Sequence, residues 1–146
     1  MPHLTFPISP DGCALQILIG LHGKEMAALY AAGKPIPNPV WVRGLVDSGT
    51  DITCVAPRVM HQLGLVIAGS TSTQTAGGSV NVNLFDVSLT ITDPAKPSTH
   101  TLVREHLVIM ELLHALPTFE ALIGMDVLAQ CLLILDGPGQ QFTLAF

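Results

Sequence analysis

Gly44-Leu45-Val46-Asp47-Ser48-Gly49-Thr50-Asp51-Ile52-Thr53-Cys54, GLVDSGTDITC, places a carboxylate, hydroxyls and a glycine between apolar runs. Asp47 follows the apolar stretch from Val40 to Val46, so its side chain is expected to be partly desolvated. A buried charge is costly unless hydrogen bonds or a shared proton relieve it. Ser48, the Gly49 amide and the Thr50 hydroxyl are local donors suited to that task. Asp-Ser-Gly is also ordinary turn chemistry, and such a triplet arises by chance in roughly one chain of this length in ten or twenty. The triplet alone therefore decides nothing, and its surroundings carry the reading.

Those surroundings are mainly β. Apolar residues recur at period two in Leu15, Ile17 and Ile19, and again in Phe85, Val87, Leu89 and Ile91, the pattern of half-buried strands. Two short helices are expected: Pro57 to Leu63, which begins on proline and stops at Gly64, and Asp126 to Cys131 after Gly124. Glu25 to Ala32 is a weaker third candidate. It leads into GKPIPNPV, whose three prolines forbid regular ladders, so residues 23–39 read as an insertion between two strands. Val80, Val82 and Leu84 keep one parity while Phe85, Val87, Leu89 and Ile91 keep the other, so the phase flips at Leu84-Phe85. A flip calls for a bulge or a strand that changes the sheet it packs on. The small residues Thr75-Ala76-Gly77-Gly78-Ser79 just before it read as a mobile hairpin tip.

The 146 residues suit one domain, 1–146. The composition is 49% hydrophobic and 12% charged, with mean hydropathy +0.52, too apolar for a disordered chain, yet no run is long enough to span a bilayer. A net charge of -5 with six thinly spread Lys and Arg leaves no basic footprint for nucleic acid. Cys13, Cys54 and Cys131 form no Cys-x-x-Cys pair, which argues against a disulfide framework or a zinc knuckle and for a reducing compartment. The N-terminal MPHLTFPISPDG has prolines where a secretory leader needs a basic start and an apolar core, so a cytoplasmic location is expected. His100, His106 and His114 lack the helical spacing of a zinc pair, so neither metal nor cofactor is expected. Met60 and Met125 read as core fillers, Trp41 as packed at the start of its strand, and Asp126 as a helix-start acid favoured by the dipole.

Taken together, Asp-Ser-Gly-Thr after two apolar residues, the short strand Ile52 to Val55, the helix PRVMHQLGL, a glycine-bearing hairpin and Ala121-Leu122-Ile123-Gly124-Met125-Asp126-Val127-Leu128 resemble the retropepsin-like aspartic proteases. The resemblance implies a closed β-sheet domain with one or two short helices. The apolar pair and glycine of Leu122-Ile123-Gly124 match that family's second signature. PHLTF at 2–6 and QFTLAF at 141–146 look like the terminal strands through which such subunits pair. Two departures stand out. Retroviral members carry an arginine after the second-signature glycine, paired with an acid at the position of Asp51, and here that residue is Met125. The insertion at 23–39 is also longer than the usual turn.

The chain has one Asp-Ser-Gly, whereas aspartic proteolysis needs two carboxylates close enough to share a proton. The resemblance therefore implies a symmetric homodimer with Asp47 facing Asp47. In that reading Asp47, Ser48, Gly49 and Thr50 form the catalytic loop. Ser48 bonds across to the other subunit, the Gly49 amide supports the carboxylate, and the Thr50 hydroxyl donates to it. Asp51, with Gln74, Thr75, Ala76, Gly77 and Gly78 of a flap spanning 74–80, contacts an extended peptide or unfolded protein substrate. The alternatives are a catalytically silent homodimeric peptide-binding module of the same fold, to which the absence of an aromatic at the flap tip lends support, and a small β-barrel ligand carrier, which leaves the two signatures unexplained.

Overall fold

A computed structural model describes residues 1–96 and 100–146. Its order is β1 (His3–Pro7), β2 (Ala14–Gly20), α1 (Gly23–Ala31), β3 (Val40–Val46), β4 (Cys54–Val55), α2 (Pro57–Gln62), β5 (Gly69–Thr75), β6 (Gly78–Thr92), β7 (Thr101–Glu111), β8 (Ala121–Ile123), α3 (Met125–Leu128), β9 (Leu132–Asp136) and β10 (Gln141–Ala145).

Strands β2-β3-β8-β4-β7-β6 pair in that order, and β6 returns to β2 through Ile17↔Ile91 and Ile19↔Leu89, closing a six-stranded barrel. Closure follows from the period-two pattern: Ile17, Ile19, Val87, Leu89, Ile91 and Ile109 are fully buried inside it, each such side chain contributing roughly 1.5 to 3 kcal/mol relative to exposure. β5 pairs only with the first half of β6, from Gly69↔Leu84 to Thr75↔Gly78, and so projects as a hairpin. The expected phase flip is thereby explained. Up to Leu84, β6 pairs with β5, and from Leu84 onward it pairs with β7. The strand changes partner there without a bulge, and the register shift falls later, between Val87 and Leu89.

The helices depart from expectation. Three form among the described residues instead of one or two, and the weakest candidate, α1, is the longest. It buries none of its residues, so it lacks the apolar stripe by which an amphipathic helix announces itself. Cavities along it are lined by Leu21, Met26, Ser88, Thr90, Val103 and Glu105, and His22 meets His106 with ring centres 5.3 Å apart. The insertion thus lies against the outside of β6 and β7, away from residues 47–54. His106 itself pairs with Asp86 at 2.8 Å.

Two packing expectations are corrected. Met60 is buried, but Met125 is 39% exposed, and Trp41 is 44% exposed because β3 alternates and only Val40 and Val42 on either side of it face inward.

The chain ends form a separate three-stranded sheet, β1-β10-β9. β1 and β10 pair with each other within one chain, from His3↔Ala145 to Pro7↔Gln141. Phe142 and Leu144 are fully buried beneath this sheet, while the edge strand β9 exposes Leu132, Ile134 and Leu135.

Candidate active site

Asp47 is the first residue after β3, and the loop that follows is fixed at both ends. Its amide donates to the Ile123 carbonyl at 3.0 Å, continuing the parallel pairing Val46↔Ile123 between β3 and β8. The carboxylate is half-buried and both oxygens accept local bonds. The Gly49 amide donates to Oδ1 at 2.9 Å and the Thr50 hydroxyl to Oδ2 at 2.7 Å. Hydroxyl bonds this short to a charged oxygen are among the stronger ones in proteins. Of the four residues expected in the catalytic loop, three are therefore joined at one carboxylate. Ser48 is exposed, and no partner for its hydroxyl occurs among the described residues.

The second signature clamps this loop from outside. The Met125 amide donates to Thr50 O at 2.8 Å and the Asp126 amide to Asp51 O at 3.1 Å. Gly124 is required by proximity, since a Cβ there would stand 2.8 Å from Thr50 O and 3.0 Å from Thr53 N. Thr53, fully buried, joins the two segments. Its hydroxyl donates to Asp126 Oδ1 at 2.7 Å and accepts from the Gly124 amide at 3.0 Å, while its amide donates to Asp126 Oδ2 at 2.9 Å. Asp126 is thus a first-turn acid of α3 that also anchors the loop, a role sequence reading missed. The polar Thr53 between Ile52 and Cys54 was the available signal. Met125 offers no cation, and the Asp51 side chain is exposed with no ion-pair partner among the described residues.

Cys54 follows Thr53 on β4. Burial first, and then the nearby carboxylates of Asp126 and Asp47, push its thiol up to about 11. It is a wall of the cleft and not a nucleophile.

Opposite the loop stands the β5–β6 hairpin. Its tip is held by the Thr75 hydroxyl, which donates to Gly78 O at 2.9 Å and accepts from the Gly77 amide at 3.2 Å. Gly78 has φ +112°, the conformation that favours glycine, whereas Gly77 does not. Between loop and hairpin lies a cavity of about 420 Å³ that includes Thr50, Asp51, Ile52, Thr73, Gln74 and Met110. A neighbouring groove of about 270 Å³ shares Cys54, Thr73 and Met110 and adds Val82, Leu112 and Leu116. Asp51, Gln74 and Thr75 therefore border the cleft. Ala76, Gly77 and Gly78 sit at the hairpin tip and line neither cavity.

No family model and no curated protein matches the chain. Among solved structures it is similar to the crystal structure of a retropepsin-like aspartic protease from Rickettsia conorii, with a TM-score of 0.59 and 14% identity over 97% of this chain and 89% of that one. At that identity the likeness is one of architecture, and on it the chain has the retropepsin-like fold.

Proposed function

We propose that the protein is an aspartic endopeptidase whose dyad is made of two Asp47 residues, one from each subunit of a homodimer. The observation that carries this reading is the Asp47 carboxylate itself, held by the Gly49 amide and the Thr50 hydroxyl, two residues that line the cleft, in the retropepsin-like fold. Two such groups in contact share one proton, because like charges at that distance do not both ionise. The ionised member takes a proton from a water held between them, and the protonated member polarises the scissile carbonyl. The resulting diol collapses as the amine leaves protonated. Ser48 bonds across the two-fold axis, and the hairpin tip over 74–80 closes on an extended peptide.

The test is cleavage of a denatured-protein digest by the wild type and by Asp47→Asn at several pH values, with the assembly state followed by sedimentation. The expected outcome is a cleaving dimer whose specific activity falls on dilution, and an Asp47→Asn dimer that is folded and inactive. A monomer that cleaves, or an Asp47→Asn protein that retains activity, overturns the reading. A wild-type dimer that binds peptides without cleaving them favours the silent binding module.

A further inference from the structure

The two cavities of the cleft differ in chemistry. The larger is lined by Ile52, Cys54 and Met110, by the strand residues Thr71 to Gln74, and by one charged residue, Asp51. No lysine, arginine or histidine lines it, and Asp51 has no ion-pair partner among the described residues. The smaller is bounded mainly by Val82, Leu112, Leu113 and Leu116, with His114 and Glu111 also at its border, the Glu111 carboxylate accepting from the Asn83 amide at 2.9 Å. Cys54, Thr73 and Met110 border both, so the two cavities lie side by side along the hairpin.

We infer that the cleft selects peptides with a lysine or arginine two residues away from a large aliphatic side chain. This rests on the cleft being a peptide site, as proposed above. In an extended strand residues i and i+2 point to the same side, about 6.6 Å apart, the spacing suited to adjoining cavities that share a wall. The aliphatic side chain enters the leucine-lined groove. The long basic side chain lays its methylenes along Ile52 and Met110 and carries its cation to Asp51, as amphipathic side chains do at the border of apolar surface and water. A free carboxylate in the larger cavity has no other charge to meet, and an acidic side chain there would be repelled. Met125, which follows Gly124, is uncharged, and Asp51 forms no ion pair among the described residues, which leaves its charge available to substrate.

The test uses matched acetylated octapeptides with leucine at one position and either lysine or norleucine two residues away, on either side. Binding is measured by calorimetry to the Asp47→Asn protein, so the readout does not depend on cleavage. The lysine peptide in one of the two orders should bind roughly fivefold tighter than its norleucine match, the scale of a partly exposed ion pair. The ratio should fall to about one in Asp47→Asn/Asp51→Asn, recover in Asp47→Asn/Asp51→Glu, and shrink in high salt. A ratio near one with Asp51 present, a ratio unchanged by Asp51→Asn, or no binding by any peptide overturns the inference. A ratio that behaves as expected in a protein whose wild type never cleaves overturns the endopeptidase reading alone.

Discussion

The loop 47–53 and the β5–β6 hairpin face each other across one cleft and are built on opposite principles. The loop is short, and its polar groups are tied to a second segment some 70 residues away in sequence, through Thr53, Gly124, Met125 and Asp126. The hairpin pairs along only one strand, exposes alternate residues on both faces near its tip, and is closed by a single threonine hydroxyl. Few buried contacts and many exposed backbone bonds mark a segment that opens locally, whereas a loop bonded from two directions moves only with the domain. The endopeptidase reading proposed above puts its catalytic group on the first kind of element and its substrate gate on the second.

Breaking the loop should have the largest effect. Gly124→Val forces a side chain into the backbone of Thr50 and Thr53, and the cost is expected to reach about 3 kcal/mol, read as a drop in the urea midpoint at unchanged slope. A midpoint like that of the wild type would show that the second signature does not clamp the loop. Next comes Thr53→Val, which keeps the shape but strands the Gly124 amide and removes a donor from Asp126. About 2 kcal/mol should be lost, and Thr53→Ser should restore most of it. Equal loss in both variants would assign Thr53 to packing instead.

A third measurement uses pH. The Cys54 thiol ionises near its ordinary 9 in the unfolded chain and at about 11 in the folded protein. The unfolded state therefore gives up this proton first. Stability from this source is intact below pH 9 and declines as pH rises through about 11, by on the order of 2 kcal/mol. Cys54→Val should flatten that part of the profile, and a wild-type and variant pair that decline in parallel would remove Cys54 as the cause. The smallest effect on global stability belongs to Gly78→Ala. Its positive φ makes alanine unfavourable by roughly 1 kcal/mol, but a tip that opens locally escapes the strain. Amide exchange of residues 74–80 should quicken while the melting temperature barely moves. A fall in melting temperature like that of Thr53→Val would mean that hairpin and loop form one cooperative unit.

The same contrast separates what was legible in the sequence from what was not. The bonds from Gly49 and Thr50 to Asp47 span two and three residues, so the residue types alone indicated them. The hairpin was marked by Gly77-Gly78 and by the parity change at Leu84-Phe85, both local signals. The Thr53–Asp126 bonds join positions 73 residues apart, and no pattern in either segment points at the other. α1 was marked only weakly, as Glu25 to Ala32, for a different reason: with no buried face, it follows from backbone preference and not from periodicity. Trp41 and Met125 were misplaced because residue type suggested burial, while their strand parity or helix position turned them outward.

The pairing of β1 with β10 inside one chain has a kinetic meaning. A terminal sheet woven from two chains would make folding itself a bimolecular event. Here the barrel closes within one chain and β1 pairs with β10 of the same chain, an arrangement that lets structure form as a first-order event. If the dyad spans two subunits, only the gain of activity is second order. On that reading a chain that folds alone would cleave nothing until a second copy meets it, so abundance rather than folding would set when cleavage begins.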